Sequence, residues 1–275
     1  MIVWAQRNVA LTRPGGDPLP SARALFTAVA PLVASGRSTG EIELFFFQRK
    51  APDVRLRFGS SADAGDLDDA ARALDEALAA TDAVLDHLVA IGTLDRWFST
   101  PYEPEVRKFG GPGAADAVHR HFDAETRLWL AAQRLGDDDG PLADPSALDV
   151  ATTSAEDLFV RVLGDRDEVW DTWANLVDLA GEPDPDAPMP RRLQLDEPAG
   201  PLASSLAAAI ADHTAFATAL AAELEAGRLR VGPRAILPFV AQLDFQRWGL
   251  SGPQQAAAAT AMMAAWDPNQ ELRGR

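Results

Sequence analysis

The clearest chemical feature of the sequence is a pair of arginines, Arg55 and Arg57, that alternate with the apolar residues Val54, Leu56 and Phe58. Residues two apart lie on the same face of a β-strand, so the two guanidinium groups would project side by side. Like charges at this distance repel unless an anion or a carboxylate lies between them. The pair therefore predicts an arginine-lined site, although the same spacing also fits the solvent-exposed side of an edge strand.

Histidines and acidic residues do not form a recognisable metal motif. His119 and His121 are two positions apart in a predicted helix, so they point to different faces, and neither Asp123 nor Glu125 restores a common face. The acidic run at 136–140 lacks the ligand spacing of an EF-hand and predicts a solvated turn. The sequence has no phosphate loop, dinucleotide-binding glycine pattern, nucleophile elbow or zincin helix, so we expect no metal and no other cofactor.

The composition predicts a globular chain with an acidic surplus. The 275 residues are 47% hydrophobic and 24% charged, which is enough for a sizeable core. With 41 acidic and 25 basic residues the formal charge is −16, so non-specific binding to nucleic acid or to anionic lipid is not expected. There is no cysteine, which excludes thiol catalysis and disulfides. The sequence shows neither a signal peptide nor an apolar run that would span a bilayer, and it predicts a cytoplasmic protein.

The first hundred residues predict a small sheet with helices. A continuous apolar run and a following alternation predict two strands within 44–58, joined by a turn at Pro52 and Asp53. Further strands are predicted at 2–6 and 94–98. Helices are predicted from about 21 to 33 and, as one long amphipathic element, from 67 to 92.

The remainder of the sequence predicts helices separated by loops. They cover about 112–135, 154–163, 168–179, 202–227 and 234–247, with a last helix that ends near 266. His213 lies on an apolar helix face and is interpreted as a core histidine. The segment 181–201 is long and rich in breakers, and it is the best candidate for a division into lobes. The predicted fold is a helix-rich α+β single domain, 1–275, with a small β-sheet.

Three blocks of sequence carry a family resemblance. The segment 45–58 resembles the "FF-x-R-Y" and "L-R-L-R-F" block of the elimination domain of lanthipeptide dehydratases. The segment 102–111 resembles that family's "Y-x-x-E-x-x-R-Y-G-G" block, and 246–250 resembles its late "N-R-L-G-L" block. Trp4 and the His119 to Phe122 region also fit the family. The blocks occur in family order and cover nearly the whole chain.

The resemblance implies activity on a modified precursor peptide. In the elimination enzymes a histidine shortly before the late block assists loss of glutamate, whereas this chain has Gln242 and Asp244 there and no imidazole. Arg49 and Lys50 replace the family's Arg-Tyr pair. These departures, together with the length of the chain and its isolation from a glutamylation domain, are similar to the stand-alone thiopeptide pyridine synthases. The implied reaction is formal aza-cycloaddition of two dehydroalanines, which closes a macrocycle with loss of water and of the leader peptide and needs no cofactor.

The resemblance also implies a set of site residues that share a cleft. The residues expected to act in catalysis are Tyr102, Asp244, Gln246 and Arg57. The residues expected to hold the peptide are Arg55, Arg107, Gln242 and Arg247. Structural alternatives stay open for three of them: Tyr102 as a turn cap, Asp244 as a partner of Arg247, and Arg107 as a partner of Glu105.

Two other functions stay open on the sequence. One is a split glutamate-elimination subunit that acts after a partner has glutamylated serine or threonine. The other is a non-catalytic subunit that binds the leader and presents it to other maturation enzymes. In each case the expected partner is the modified precursor peptide.

Overall fold

The fold consists of an antiparallel sheet with three helices, followed along the chain by six further helices within the described residues. The computed structural model describes residues 1–63, 66–135, 145–195 and 202–269. The turn predicted at 136–140 lies outside these residues. The chain divides into two units, Met1–Glu103 and Pro104–Arg275.

The predicted division into lobes at 181–201 stays a prediction. The described residues of this loop, 181–195, belong to the second unit. The single domain over 1–275 stays a prediction.

The first unit is built on four antiparallel strands in the order β2-β3-β1-β4. Their bounds are β1 Ile2–Leu11, β2 Leu44–Lys50, β3 Asp53–Ser61 and β4 Leu94–Thr100. The predicted hairpin between β2 and β3 is present, but its turn lies at Ala51 and Pro52, one residue earlier than predicted, because Asp53 already pairs with Lys50 as the first residue of β3. Because β3 lies between β2 and β1, the edge-strand interpretation of Arg55 and Arg57 is wrong.

The strand register sorts the side chains onto two faces. One face carries the row Phe46, Arg57, Gln6 and Thr100, whose members are directly opposite one another on successive strands. The other face carries apolar residues such as Phe47, which is fully buried. The ring of Phe47 lies 4.4 Å from that of Phe26 on the first helix.

Three helices complete the first unit: α1 Leu19–Thr39, α2 Leu67–Ala77 and α3 Ala79–Ala90. The single helix predicted over 67–92 is wrong, because the chain breaks at Leu78 into α2 and α3. Arg7 of β1 binds one carboxylate from each helix, with Nη2 3.1 Å from Asp75 Oδ1 and Nε 2.7 Å from Asp82 Oδ1. This shared cation holds both helices to the sheet, while the buried side chain of Leu78 packs at the break.

In the second unit, all the regular secondary structure of the described residues is α-helical. Its helices are α4 Pro112–Leu135, α5 Ala147–Leu163, α6 Arg166–Ala180, α7 Ala203–Glu225, α8 Pro233–Arg247 and α9 Gly252–Trp266. Helix α4 packs against α7 and α8, and α6 packs against α8 and α9. Helix α5 begins seven residues before its predicted start at 154, because Ser146 and Asp149 form a reciprocal capping box.

Helix α7 is long and apolar enough to cross a membrane when judged by length and composition alone, which the sequence reading did not expect. It is the one helix of the described residues that meets this test. Its face nevertheless carries the buried residues Leu206, His213, Phe216 and Leu220. One of them, His213, is hydrogen-bonded to Asp157 of α5 at 2.8 Å. Buried residues and a hydrogen bond to a neighbouring helix are typical of a helix in a protein core.

Gly59 on β3 allows the ring of Trp4 to lie against the strand. A Cβ atom at this position would lie 2.9 Å from a ring carbon of Trp4 and 3.0 Å from a methyl group of Ile2. We expect Gly59→Ala to lower the free energy of unfolding by about 1–3 kcal/mol, because the ring must shift. Urea unfolding followed by circular dichroism measures the change.

The control is Ser60→Ala on the same strand. Because neighbouring residues of a strand face opposite sides, it does not touch the Trp4 ring, and we expect a change within about 0.5 kcal/mol. An equally small effect of Gly59→Ala would contradict the close packing.

Candidate functional site

Arg57 lies in a buried polar row across three strands of the first unit. Its Nε donates to Gln6 Oε1 at 2.9 Å. Gln6 Nε2 in turn donates to Thr100 Oγ1 at 2.9 Å and to Asn8 Oδ1 at 3.0 Å. Arg57, Gln6 and Asn8 are 6%, 5% and 3% exposed. The row holds the guanidinium group of Arg57 in one orientation.

Aromatic rings surround the same guanidinium group. Its Cζ lies 4.3 Å from the ring centroid of Tyr102 and 5.4 Å from that of Phe46. Trp4 meets Tyr102 edge-on at 5.3 Å and Phe46 at 5.5 Å. Each cation–π contact is favourable by about 0.5–2 kcal/mol, depending on its solvation. The sequence-predicted residues Arg57 and Tyr102 are therefore neighbours, and the Tyr102 ring packs on the cation.

Arg55 shares the sheet face with Arg57 but has a different local partner. By register it lies in the next row, between Gln48 and Asn8. Its Nε donates to the carbonyl oxygen of Ala51 at 2.9 Å, within its own hairpin. Its predicted role in holding a peptide stays a prediction.

In the second unit a buried carboxylate, Asp244 of α8, lies between a histidine and an arginine. His121 Nε2 is 2.8 Å from Asp244 Oδ2, and Arg247 Nη1 donates to Asp244 Oδ1. His121, Asp244 and Arg247 are 1%, 5% and 0% exposed. The guanidinium group of Arg247 also lies 5.0 Å from the ring centroid of Phe122. Asp244 thus pairs with Arg247, as one structural alternative anticipated.

The histidine beside Asp244 corrects the sequence reading, which found no imidazole at this site. The imidazole comes from α4 rather than from the residues just before Arg247. His121 and Asp244 are 123 positions apart, so no local spacing could join them. The available signal was a histidine in a predicted core helix, which needs a polar partner when it is buried.

The remaining predicted residues lie on more open parts of the second unit. Gln242 Nε2 donates to the carbonyl oxygen of Leu179 at 3.3 Å, beside an open cavity of about 420 Å³ between α6 and α8. Gln246 is half-buried, and Arg107 is exposed in the loop before α4. Glu105 Oε2 lies 3.4 Å from Lys108 Nζ. Their predicted roles stay predictions.

The glycines at the start of α4 serve close packing of the chain on itself. The sequence suggested that they could bring backbone amides close to a ligand. A Cβ atom on Gly113 would lie 2.4 Å from the carboxylate carbon of Glu223, and one on Gly111 would lie 3.1 Å from the carbonyl oxygen of Arg228. The space beside these glycines is therefore occupied by the end of α7 and the turn that follows it.

A second buried acid–base cluster lies on α4, α5 and α7. His213 Nδ1 is 2.8 Å from Asp157 Oδ2, and His213 Nε2 is 3.4 Å from Glu125 Oε1. Ser154 Oγ donates to the same Glu125 oxygen at 2.6 Å. His213 is thus a hydrogen-bonded core histidine, as predicted. No group of three or more possible metal ligands occurs among the described residues.

The charges of this cluster stabilise one another. Burial by itself lowers the pKa of His213, but the hydrogen bonds and charges of Asp157 and Glu125 outweigh it and raise that pKa to about 9. Burial raises the pKa of Glu125, but His213, the charge of His121 and the Ser154 hydroxyl together lower it to about 2. At neutral pH, Glu125 is therefore a carboxylate and His213 an imidazolium.

This cluster predicts a loss of stability at alkaline pH. Because the pKa of His213 is raised from 6.5 to about 9 on folding, its contribution is complete below pH 6.5 and is lost as the pH rises through 9. We expect the free energy of unfolding to fall by about 3 kcal/mol across this range. Urea unfolding at several pH values measures the fall.

The matched variant is Asp157→Asn, which removes one of the two carboxylates that raise the pKa of His213. Its pH-dependent fall should be clearly smaller than that of the unmodified protein. An identical fall in both proteins would assign the alkaline loss to other groups.

Comparison with known proteins identifies relatives of the chain. The family model described as "Lantibiotic biosynthesis dehydratase C-term" matches residues 17–265. The tRNA-dependent lantibiotic dehydratase MibB from Microbispora sp. 107891 is 16% identical with a TM-score of 0.62, over 99% of this chain and 28% of MibB. The chain therefore spans a little over a quarter of the length of MibB.

Two solved structures of similar length to this chain also match. TsrL is 14% identical with a TM-score of 0.55, over 97% of this chain and 96% of TsrL. The pyridine synthase TbtD from thiomuracin biosynthesis is 13% identical with a TM-score of 0.47, over 96% of this chain and 98% of TbtD. No curated protein sequence matches the chain. The predicted helix-rich α+β fold is confirmed by the likeness to MibB and by the family match.

Proposed function

This chain belongs to the family of lantibiotic biosynthesis dehydratase C-terminal domains, and we propose that it is a macrocyclase that forms a pyridine in a modified precursor peptide. Two dehydroalanines of the peptide are joined by formal aza-cycloaddition. Loss of water and loss of the leader peptide as an amide then complete the aromatic ring. We propose that the reaction takes place in the cytoplasm, alongside the other enzymes that mature the peptide.

The observation that carries this proposal is the buried pair of Asp244 and His121. The reaction needs a group that removes the amide N–H proton and a group that protonates the amide oxygen, so that the iminol tautomer forms. It later needs protons on the departing hydroxyl group and on the departing amide nitrogen. A carboxylate and an imidazole that share a hydrogen bond at 2.8 Å supply a base and an acid together.

Arg247 supports the role of this pair. Its guanidinium group binds the second oxygen of Asp244 and is fully buried. A buried cation beside a carboxylate favours the ionised form of that carboxylate. We assign Asp244 as the proton acceptor, His121 as the proton donor, and Arg247 as a positioning residue that holds the Asp244 carboxylate in place.

In the first unit we assign substrate-orienting roles to Arg57 and Tyr102. The Nε of Arg57 is fixed by Gln6, and its face is fixed by the Tyr102 ring. A guanidinium group held in this way can stabilise negative charge on a peptide carbonyl oxygen without reorganisation. The Tyr102 hydroxyl can donate to the same class of oxygen.

A second candidate, glutamate elimination, is favoured by one specific observation. The sequence argued against elimination because no imidazole occurs at Gln242 or Asp244, but His121 supplies one beside Asp244. Elimination needs a base that removes the α-proton of a glutamylated serine or threonine. The His121–Asp244 pair could perform that step, so an experiment has to separate the two reactions.

Two parallel incubations separate them. We expect the purified protein to convert a multiply dehydrated, azole-bearing peptide into a macrocycle and a free leader amide. A glutamylated form of the precursor should remain unchanged. Mass spectrometry distinguishes leader release from loss of glutamate.

Each other outcome replaces the proposal with a stated alternative. Loss of glutamate in the second incubation, with the leader intact in the first, would establish elimination. No reaction in either incubation, with tight binding of the leader, would favour a non-catalytic leader-binding subunit.

Tyr102→Phe tests the first-unit assignment. The phenylalanine ring keeps the cation–π contact with Arg57 and removes the hydroxyl, so we expect kcat to fall at least tenfold while the melting temperature stays within a few degrees. Turnover of the dehydrated peptide and thermal unfolding are the two measurements. An unchanged kcat would remove the Tyr102 hydroxyl from the mechanism.

A further inference from the structure

Acid–base side chains form a line through the second unit, from an open cavity to Asp244. The cavity has a volume of about 430 Å³, and its lining includes Glu156, Asp157, Arg192 and Trp266. Among these lining residues, Asp157 also contacts the interior of the unit, because its Oδ2 lies 2.8 Å from His213 Nδ1. One end of the line therefore faces solvent.

The interior of the line is continuous from His213 to Glu125. His213 Nε2 lies 3.4 Å from Glu125 Oε1 and 3.3 Å from Ser154 Oγ, and Ser154 Oγ lies 2.6 Å from the same carboxylate oxygen. A proton can pass between His213 and Glu125 directly or by way of the hydroxyl. His213 is 1% exposed and Glu125 is 1% exposed, so bulk water does not provide this connection.

The link from Glu125 to His121 rests on two buried atoms whose polar partners are missing. Glu125 Oε2 and His121 Nδ1 are both buried without a hydrogen-bond partner. The two residues are four apart on α4, so their side chains lie on one face with Cβ atoms roughly 5–6 Å apart. The charge of His121 also contributes to lowering the pKa of Glu125, which requires the two groups to be close. The two atoms share no hydrogen bond in this structure, so transfer of a proton between them needs one bridging water or a change of side-chain rotamer.

We infer that Asp157, His213, Glu125 and His121 form an internal proton path that connects the open cavity with Asp244. The inference rests on the proposed function for its purpose, because the acid–base pair must be reset between the successive steps of that reaction. The path consists of side chains of α4, α5 and α7, so it can be tested without measuring the turnover of a peptide.

The proton transfers balance along the path. His213 is an imidazolium at rest, so its Nε2 releases a proton to Glu125 while its Nδ1 keeps the proton that it donates to Asp157. A turn of the neutral ring then exchanges the two nitrogens, and a proton from solvent, carried by Asp157, restores the imidazolium. Glu125 passes the proton that it received to Nδ1 of His121, and Nε2 of His121 delivers one proton to Asp244 or to the substrate. One proton enters and one leaves, with no change of oxidation state.

The other charged groups around the path have partners of their own. Arg161 binds Asp157 at 2.7 Å, and Arg192 binds Glu156. Asp123 and Asp212 both bind Arg127, and Arg247 binds Asp244. These ion pairs leave His213 as the connection between the cavity and Glu125.

The test is the exchange of imidazole ring protons with solvent, measured by NMR on protein with 15N-labelled histidine. Asp157→Asn keeps an oxygen that accepts from His213 Nδ1 but cannot carry the proton. We expect it to slow exchange at both His213 and His121 at least tenfold. The control, Asp212→Asn, removes one negative charge next to His213 in sequence but off the path, and it should leave both rates unchanged.

A second variant gives the path a direction. Glu125→Gln interrupts the line on the inner side of His213, so exchange should slow at His121 but not at His213. If Glu125→Gln does not fold, the comparison of Asp157→Asn with Asp212→Asn decides alone. Unchanged exchange in Asp157→Asn, or equal slowing in Asp212→Asn, would overturn the path.

Turnover separates the failure of the path from the failure of the proposed function. If the macrocyclase assignment holds, Asp157→Asn should lower kcat without raising KM, and added small carboxylic acids should restore part of the rate. If no peptide is turned over, the exchange pattern alone still confirms or overturns the path.

Discussion

Burial of charge is the constraint on which the second unit depends. Removing an ionised group from water costs several kcal/mol even after the surroundings relax, and a buried charge persists only with a well-placed partner. Helix α4 brings His121 and Glu125 into the interior, and each is met by a partner from another helix. Asp244 comes from α8, and Ser154 comes from α5. The helices are therefore held in register by specific polar contacts as well as by their apolar faces.

The same constraint explains why two buried arginines of the sheet, Arg7 and Arg57, have different roles. Arg7 binds carboxylates of α2 and α3, so its charge fastens helices to the sheet. Arg57 lies on the opposite face, where Gln6 and the Tyr102 ring orient it. Both are buried and both are on strands, and residue type alone does not separate them. The neighbours on adjacent strands distinguish the two arginines, because the strand register decides which groups contact each guanidinium group.

Local patterns could predict much of the first unit, because strand alternation and turn residues act over a few positions. The β2–β3 hairpin, to within one residue of its turn, and the shared face of Arg55 and Arg57 follow from such patterns. The break at Leu78 does not, since the leucine spacing continues through it and the contacts that hold both helices come from Arg7 of a distant strand.

In the second unit the candidate site could be predicted only in part. The late sequence block led to Asp244 and Arg247, which are three residues apart on one helix. It could not lead to His121, because that residue approaches from α4 and is buried among residues on nearly every face of the helix. A histidine in such a helix has no periodic signal of its own. Its role depends on which partner the tertiary packing brings to it.

Pyridine formation and glutamate elimination differ in how many protons the site must deliver to leaving groups. This difference is a reason to favour pyridine formation. Glutamate leaves a glutamylated side chain as a carboxylate, which is a stable anion, so elimination mainly needs removal of one α-proton. Pyridine formation expels water and an amide, and both are poor leaving groups unless they are protonated. A site that performs two such expulsions in sequence must recover its acid between them. A buried His121–Asp244 pair that is connected to solvent through His213 suits that demand better than it suits a single deprotonation.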